Sequence, residues 1–385
     1  MRNVSKEVRI LSLAFLFIFL GYNGVQQYLT VYFSDLNLFE VGFRSLILIY
    51  LFFVFGEPIA AVFVSKYGSK KSLLFSSLFY SIFILSLLTK SVVLIYLASA
   101  LLGFMAAFLW TAQNAYLIRA SEERAYGENS GFFTTLESLG SGLGVFILGF
   151  LIAKFFYQIP FLIFSIFPLL GFLLFFKLRD IRIEQKLSRF KLMKRVFSSK
   201  TAWQFSSLWF GLSFVFGLAI GIIPVQIKGS LGVSFVGILT SLFFILPIFL
   251  SYFFGKISDI KGRKPMLIIS YILLLIGLLL VSLEKSAWLI LGVILLALNS
   301  AILGPVIIAL VGDVSTKENL EFLTALFWML RALGVVLALL ISSQFQIKTI
   351  YLISIATTII SFFVAWPLLR LKIENLREKI SQEIS

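Results

Sequence analysis

Phe133 to Gly140 reads FTTLESLG, and 194 residues further on Phe327 to Gly334 reads FWMLRALG. Each octet lies inside a long apolar run, and each carries one charge at the same place, Glu137 in the first and Arg331 in the second. At that offset 10–33 falls on 204–227, 72–89 on 266–283 and 157–176 on 351–370, with Lys154 on Lys348, Gly68 on Gly262 and no gap. A single match among apolar helices is what chance gives. A match at nearly every boundary makes the chain two copies of one module in parallel orientation, a repeat type found in membrane proteins that bind between their halves.

The module is a set of membrane helices. Of the 385 residues 60% are hydrophobic and 13% charged, against about 25% charged in soluble proteins, and mean hydropathy is +1.02. Runs of roughly 20 apolar residues span a bilayer core. Twelve are expected: 10–33, 42–64, 72–89, 91–118, 130–153 and 157–176, then 203–226, 234–256, 266–283, 287–311, 322–343 and 348–369. The expected organisation is a six-helix half over 1–176, a basic linker over 177–202, and a second half with a short tail over 203–385.

The net charge of +15 would suggest nucleic acid in a soluble chain, but its distribution fits a membrane. With the N-terminus inside, 26 Lys and Arg fall on the inner side and six outside, Arg44, Lys90, Lys154, Lys228, Lys285 and Lys348. That bias is the positive-inside rule, so both termini are expected in the cytoplasm and no nucleic-acid partner is needed. The first run is too long for the apolar core of a signal peptide and is expected to stay as a helix. In the linker, Leu187, Phe190, Met193 and Phe197 recur at helical spacing, which suits a helix lying on the anionic inner leaflet; a solvated basic linker that only sets topology is the alternative. The sole N-x-[ST] sequon, at Asn3, faces inward, so a prokaryotic plasma membrane is expected.

After the eighth span comes GKISDIKGRKP, in which Gly255, Asp259, Gly262, Arg263 and Lys264 match the G-x-x-x-D-x-x-G-R-K loop of the major facilitator superfamily. Its physics is legible: Gly255 lets helices approach, Asp259 can cap or pair at a helix end, Gly262 permits the turn, and the cations hold the loop at headgroups. The first half carries a degenerate copy, Ala61, Ser65, Gly68, Lys70 and Lys71, without the acid. The resemblance covers nearly the whole chain and implies an all-α major facilitator fold of two six-helix pseudo-symmetric halves. The chain lacks the intramembrane Arg of the fourth helix and the Gly-Pro of the fifth that drug/proton antiporters carry, which disfavours that activity. Gly140 with Gly144, and Gly217 with Gly221, form G-x-x-x-G pairs expected to pack helices closely. LWTAQNAYL with NSGFF, through Trp110, Thr111, Gln113, Tyr116, Asn129 and Gly131, resembles the Unc (uncoordinated) branch of the superfamily. Some members of that branch regulate channels or receptor trafficking, which implies a second possible role, a non-transporting regulator that binds another membrane protein.

Three charges fall well inside spans, Glu57, Glu137 and Arg331. A bare charge near the bilayer centre costs on the order of 3 kcal/mol on insertion scales, so each needs a partner. All three share one depth, roughly 10 to 14 Å from the inner surface. The resemblance sets the second helix against the eleventh, which implies that Glu57 and Arg331 form an inter-half ion pair, either a gate loosened by protonation or a static pair. The resemblance also gives the cavity to the first, fourth, seventh and tenth helices. These supply Asn23, Gln26, Gln27 and Thr30 in one helical stripe, then Trp110, Gln113 and Asn114, then Trp209 and Ser213, then Asn299. Such residues suit a neutral or weakly charged polar solute such as a sugar, or else hold the bundle together.

What is missing narrows the chemistry. The chain has no Cys and no His, which removes thiolate and imidazole catalysis and their metal sites, and no phosphate-binding G-x-x-x-x-G-K-[ST] loop is present to use ATP. No enzyme activity, cofactor or metal is expected, and no filter-like motif points to a channel. The expectation is a monomeric secondary transporter that moves a small polar solute by alternating access, with H+ as the coupling ion to test.

Overall fold

A computed structural model describes residues 4–181, 188–342 and 344–384. Long apolar segments without a polar face have no choice in a bilayer but to satisfy their backbone internally, and the described residues are almost wholly helical. The first half runs α1 (Lys6–Asp35), α2 (Phe39–Tyr67), α3 (Ser69–Leu88), α4 (Val92–Arg119), α5 (Tyr126–Phe155), then α6 (Gln158–Phe164) and α7 (Ile166–Phe175), which share one span. After α8 (Arg189–Ser198), the second half runs α9 (Lys200–Ile220), α10 (Ile222–Leu231), α11 (Val233–Lys261), α12 (Arg263–Val281), α13 (Ser286–Val314), α14 (Leu320–Ser342) and α15 (Ile347–Leu369), with α16 (Ile373–Ile384) behind it. Among the described residues twelve helices are long and apolar enough to cross a membrane, so the chain is a multi-pass integral membrane protein.

The repeat holds down to the backbone. Gly68 and Gly262, 194 residues apart, turn between spans at φ 88° and 87°, where a residue with a Cβ is strained. Lys90 and Glu284, also 194 apart, both take φ near +55° (54° and 56°) at the opposite face. Packing repeats as well: α1 lies on α5 and α7, and α9 on α14 and α15, while α4 carries α2 and α3 as α13 carries α11 and α12. The halves meet along α2 with α14 and along α5 with α11.

Several boundaries depart from the sequence expectation. Most helices run two to four residues further toward the face that holds both termini, because polar residues outside the apolar run still continue the helix. The sixth span is broken at Ser165: Pro168, with no N–H, leaves the Phe164 carbonyl without its helical donor, and that carbonyl lies against Gly21. The seventh breaks at Gly221 (φ −102°, ψ −89°), ahead of Pro224. Of the two G-x-x-x-G pairs, Gly140 and Gly144 pack as expected; a Cβ there would lie 2.1 Å from the Leu16 carbonyl oxygen and 2.2 Å from that of Leu20. Gly217 packs on Ala338, but Gly221 ends its helix instead. In the linker, α8 turns Leu192 and Val196 into the protein and leaves Phe190 exposed, packing against α2, α14 and α16. The stripe expected to face lipid is therefore only partly free, and its first member, Leu187, lies outside the described residues.

Candidate central cavity and the clasp beneath it

A cavity of about 190 Å³ lies between the halves near mid-depth. From the first half it is lined by Tyr22, Asn23 and Gln26 of α1, Tyr50 and Phe53 of α2, Tyr80 of α3, Trp110 of α4, and Thr134, Glu137 and Ser138 of α5. The second half adds Trp209, Ser213 and Phe216 of α9, Phe243, Phe244 and Pro247 of α11, Ser300 and Gly304 of α13, and Trp328 and Arg331 of α14. The lining therefore draws on nine helices rather than the expected four, because the helices that join the halves also open onto the space between them.

Its aromatic wall crosses the interface. Trp110 and Trp328, one from each half, stand with ring centroids 4.7 Å apart, Trp209 is 5.7 Å from Trp328, and Phe15 and Phe133 back Trp110. Offset and edge contacts of this kind add about 0.5–1.5 kcal/mol each beyond area burial. The polar side is held by hydrogen bonds: Asn23 Nδ2 donates to Ser141 Oγ at 2.7 Å, Ser141 Oγ lies 3.2 Å from Glu137 Oε1, and Gln26 Nε2 donates to the Tyr50 hydroxyl at 3.3 Å.

The three intramembrane charges do share a depth, about 15 to 17 Å in from the helix ends on the terminus-bearing face at 1.5 Å per residue. The Glu57–Arg331 ion pair is not formed. Glu57 is fully buried and its Oε2 accepts from Thr111 Oγ1 at 2.6 Å, while Oε1 has no partner. The reason lies in the α2–α4 seam. A Cβ on Gly56 would sit 2.9 Å from the Phe104 carbonyl oxygen, so α2 lies close on α4 there and carries Glu57 into the seam. One turn earlier Phe53 reaches across to Trp328. Arg331 instead sits among rings, 5.0 Å from the centroids of Phe216 and Trp328 and 6.0 Å from that of Trp209.

Of the expected polar residues, Asn23, Gln26, Trp110, Trp209 and Ser213 reach the cavity. Gln27 and Thr30 do not line it. Gln113, Asn114 and Asn299 are buried in helix seams: neither polar atom of the Gln113 amide has a partner, and Asn299 Oδ1 accepts from Ser270. Tyr22, Tyr50, Tyr80, Phe216 and Trp328 were missed. Tyr50 and Tyr80 sit on spans not given to the cavity, but signals were there for Tyr22, beside Asn23 on the first span, and for Trp328, one turn before Arg331 in the FWMLRALG octet.

Below the cavity, on the terminus-bearing face, polar contacts join the halves. Asp259 accepts from the backbone N–H of Gly127 at 2.8 Å and of Glu128 at 2.7 Å, capping the N-terminus of α5 from the other half. Arg263 pairs with Asp259 at 2.6 Å and with Asp313 at 2.7 Å. Gly255 makes this approach possible, since a Cβ there would lie 2.1 Å from the Gly127 carbonyl oxygen, and a Cβ on Gly131 would lie 2.4 Å from that of Ser251. Lys264 sits apart, 5.7 Å from the centre of the Trp366 ring. Arg119, largely covered, and the buried Glu321 form an ion pair between the halves at 2.5 Å. The sequence offered Arg119 only as a topological charge, and its partner lies 202 residues away.

The Unc-like residues form a column from cavity floor to clasp: Trp110 on the wall, Thr111 on Glu57, the Tyr116 hydroxyl donating to Glu7 at 2.7 Å, Asn129 Nδ2 to Ser121 Oγ at 2.8 Å, and Gly131 on α11.

Two pseudo-symmetric six-helix lobes around a mid-depth cavity are the architecture of a twelve-span membrane transporter. The sequence pattern of the Major Facilitator Superfamily matches residues 8–234 and 209–383, and the chain belongs to that family. It is similar to UNC93-like protein 3 of Arabidopsis thaliana, 32% identical over 142 residues that make 37% of this chain and 28% of the relative. It is likewise similar to UNC93-like protein MFSD11 of Xenopus laevis, 32% identical over 133 residues, 34% of this chain and 30% of the relative. The matched part thus spans less than a third of those relatives. Among solved structures, the proton:xylose symporter XylE bound to 6-bromo-6-deoxy-D-glucose superposes with TM-score 0.78 at 13% identity, over 95% of this chain and 96% of that one. A bacterial homologue of the iron transporter ferroportin in an outward-facing state gives 0.76 at 14%, over 94% and 99%. Both likenesses are of fold.

Proposed function

We propose that the chain is a secondary active transporter that carries a small polar solute by alternating access through the central cavity, coupled to protons. The observation that carries this reading is the clasp. The polar contacts that join the halves gather at the terminus-bearing end, beneath a cavity whose wall is shared by both halves. The polar atoms left without partners point the same way. Glu57 Oε1, the Gln113 amide, Asn114 Oδ1, Ser130 Oγ and Thr324 Oγ1 are buried and unsatisfied between cavity and clasp. Native proteins leave few such atoms, and a state in which this end opens to water would hydrate them. The terminus-bearing face is read as cytoplasmic from the charge bias, the membrane as a prokaryotic plasma membrane, and the domain limits as 1–176, 177–202 and 203–385.

Glu57 is assigned the coupling proton. It lies inside a span, has one neutral partner, and adjoins the α4 segment that carries the Trp110 wall. Reconstitution tests the reading: solute-driven proton flux or saturable counterflow of a member of a broad metabolite panel is the expected result. A stoichiometric membrane partner in a pull-down, with no flux for any solute, would replace it with the regulator. Thr111, Gln113, Tyr116 and Asn129 of the Unc-like segment are buried, three of them bonded within their own half, which favours transport because a docking surface has to be exposed.

A further inference from the structure

We infer that the cavity takes an amphoteric solute, one that presents an anionic group to Arg331, a cationic group to Glu137 and a planar or apolar body to the tryptophan wall. This rests on the transport reading only for the cavity's being the site. Three observations carry it. First, Glu137 and Arg331 are the cavity's two fixed charges, of opposite sign, and they make no ion pair with each other although Arg331 lies within electrostatic reach of Glu137. Second, each has unused capacity. Among the described residues the Arg331 guanidinium has no hydrogen-bond acceptor and is flanked by rings, with the centroids of Phe216 and Trp328 each 5.0 Å from its central carbon, so its N–H groups remain for a ligand. A guanidinium edge selects a carboxylate or similar planar anion. Among the described residues the hydrogen-bond partners of the Glu137 carboxylate are hydroxyls alone, Ser141 and Ser138. Third, three of the six tryptophans stand side by side on the wall, Trp110, Trp328 and Trp209.

The alternatives satisfy less of this. A sugar leaves both charges unmatched in a site of low dielectric, a simple anion answers Arg331 but meets the field of Glu137, and a simple cation does the reverse. An amphoteric molecule answers both and remains neutral overall, in keeping with a lining otherwise made of amides, hydroxyls and rings.

The test is direct binding to the purified full-length chain in nanodiscs, by calorimetry and thermal shift. The probes are the standard amino acids and simple betaines, each free amino acid set beside its methyl ester and its N-acetyl derivative, with glucose as the neutral probe. At least one free amphoteric compound should bind, with its ester and its N-acetyl form each about 30-fold weaker or more, the loss expected when one partner of a desolvated charge pair is removed. Arg331→Gln should remove the preference over the ester and Glu137→Gln the preference over the N-acetyl form, each without touching the other preference. Tighter binding of glucose or of a singly charged derivative, or no binding by any amphoteric probe, overturns the inference even if a variant fails to fold. Counterflow of a solute that is not amphoteric would leave transport standing and sink the solute class; amphoteric binding without any flux would do the opposite.

Discussion

Asp259→Asn isolates the clasp. The carboxylate caps the α5 N-terminus through two backbone N–H groups, at 2.8 and 2.7 Å. A side-chain cap contributes about 1 kcal/mol, and a negative charge at a helix N-terminus a further 0.3–1 kcal/mol, up to about 2 when partly buried. Asparagine keeps one acceptor oxygen and loses the charge. Arg263 is not stranded, because Asp313 still holds it at 2.7 Å. The form closed at this face should therefore lose about 1 to 3 kcal/mol relative to the open one, a shift of about 5- to 150-fold in the equilibrium. The chain has no cysteine, so single reporters are unambiguous. Ser130→Cys and Thr324→Cys replace fully buried hydroxyls that have no partner, and a membrane-impermeant thiol reagent reaches them only when this end opens. Labelling from the terminus-bearing side should rise by that factor in the Asp259→Asn background. Rates equal to or below the parent's would refute the claim that this contact holds the halves together.

Four further outcomes follow from the same geometry. Gly255→Ala sets a methyl against a backbone carbonyl at 2.1 Å, which cannot move as a side chain would; it should cost about 1–3 kcal/mol and accelerate the same labelling. Arg119→Ala leaves Glu321 buried and unpaired, a loss of about 3–5 kcal/mol, and adding Glu321→Ala should restore at least half of it in thermal unfolding. Glu57→Gln keeps the Thr111 hydrogen bond, so it should fold and perform counterflow while pH-dependent uptake disappears; retained pH dependence would move the coupling proton elsewhere. At the C-terminal helix, burial pushes the Glu383 carboxyl up, but hydrogen bonds from Ser199 and Thr201 outweigh it and hold it below the usual value. The stability that these bonds add to the docking of α16 is then present at neutral pH and is lost as pH falls through that lowered value, which hydrogen exchange over 373–384 would register and Glu383→Gln would abolish.

The parts of the fold that were legible in the sequence were those fixed by solvent and periodicity. Twelve apolar runs, a 194-residue offset and the Gly255–Gly262 loop each state a constraint that acts locally, so reading them needs no partner. Glu57 shows where that ends. Its depth could be read from its distance to the span end, but its direction depends on how closely Gly56 lets α2 approach α4, which belongs to the pair of helices. The polar stripe of α1 fails for a related reason: Asn23 and Gln26 reach the cavity, while Gln27 and Thr30, on the same stripe, lie clear of it, since a cavity ends where two halves converge. Among the clasp charges Asp259 was legible as a residue that caps or pairs, whereas Arg119 and Arg263 had been accounted for as topology and Asp313 and Glu321 had no local signal.

Comparing mates across the offset shows how one backbone makes two different clasps. Asp259, Arg263 and Asp313 form a charged cluster within the second half. Their first-half mates are Ser65, Ser69 and Arg119, and the two serine hydroxyls are buried without partners. Arg119 therefore has no acid in its own cluster and reaches across to Glu321. The mate of Glu321 is Gly127, the residue whose N–H Asp259 accepts from, and Gly127 tolerates no side chain because a Cβ would lie 2.2 Å from the Gly255 carbonyl oxygen. At equivalent sites, then, one helix N-terminus is held through its backbone dipole and the other through a side-chain ion pair. The first survives changes of side chain on α5 outside Gly127 and Gly131, and the second does not survive loss of either partner. Single substitutions in the Arg119–Glu321 bridge should for that reason open the terminus-bearing face further than any on α5 that spares Gly127 and Gly131.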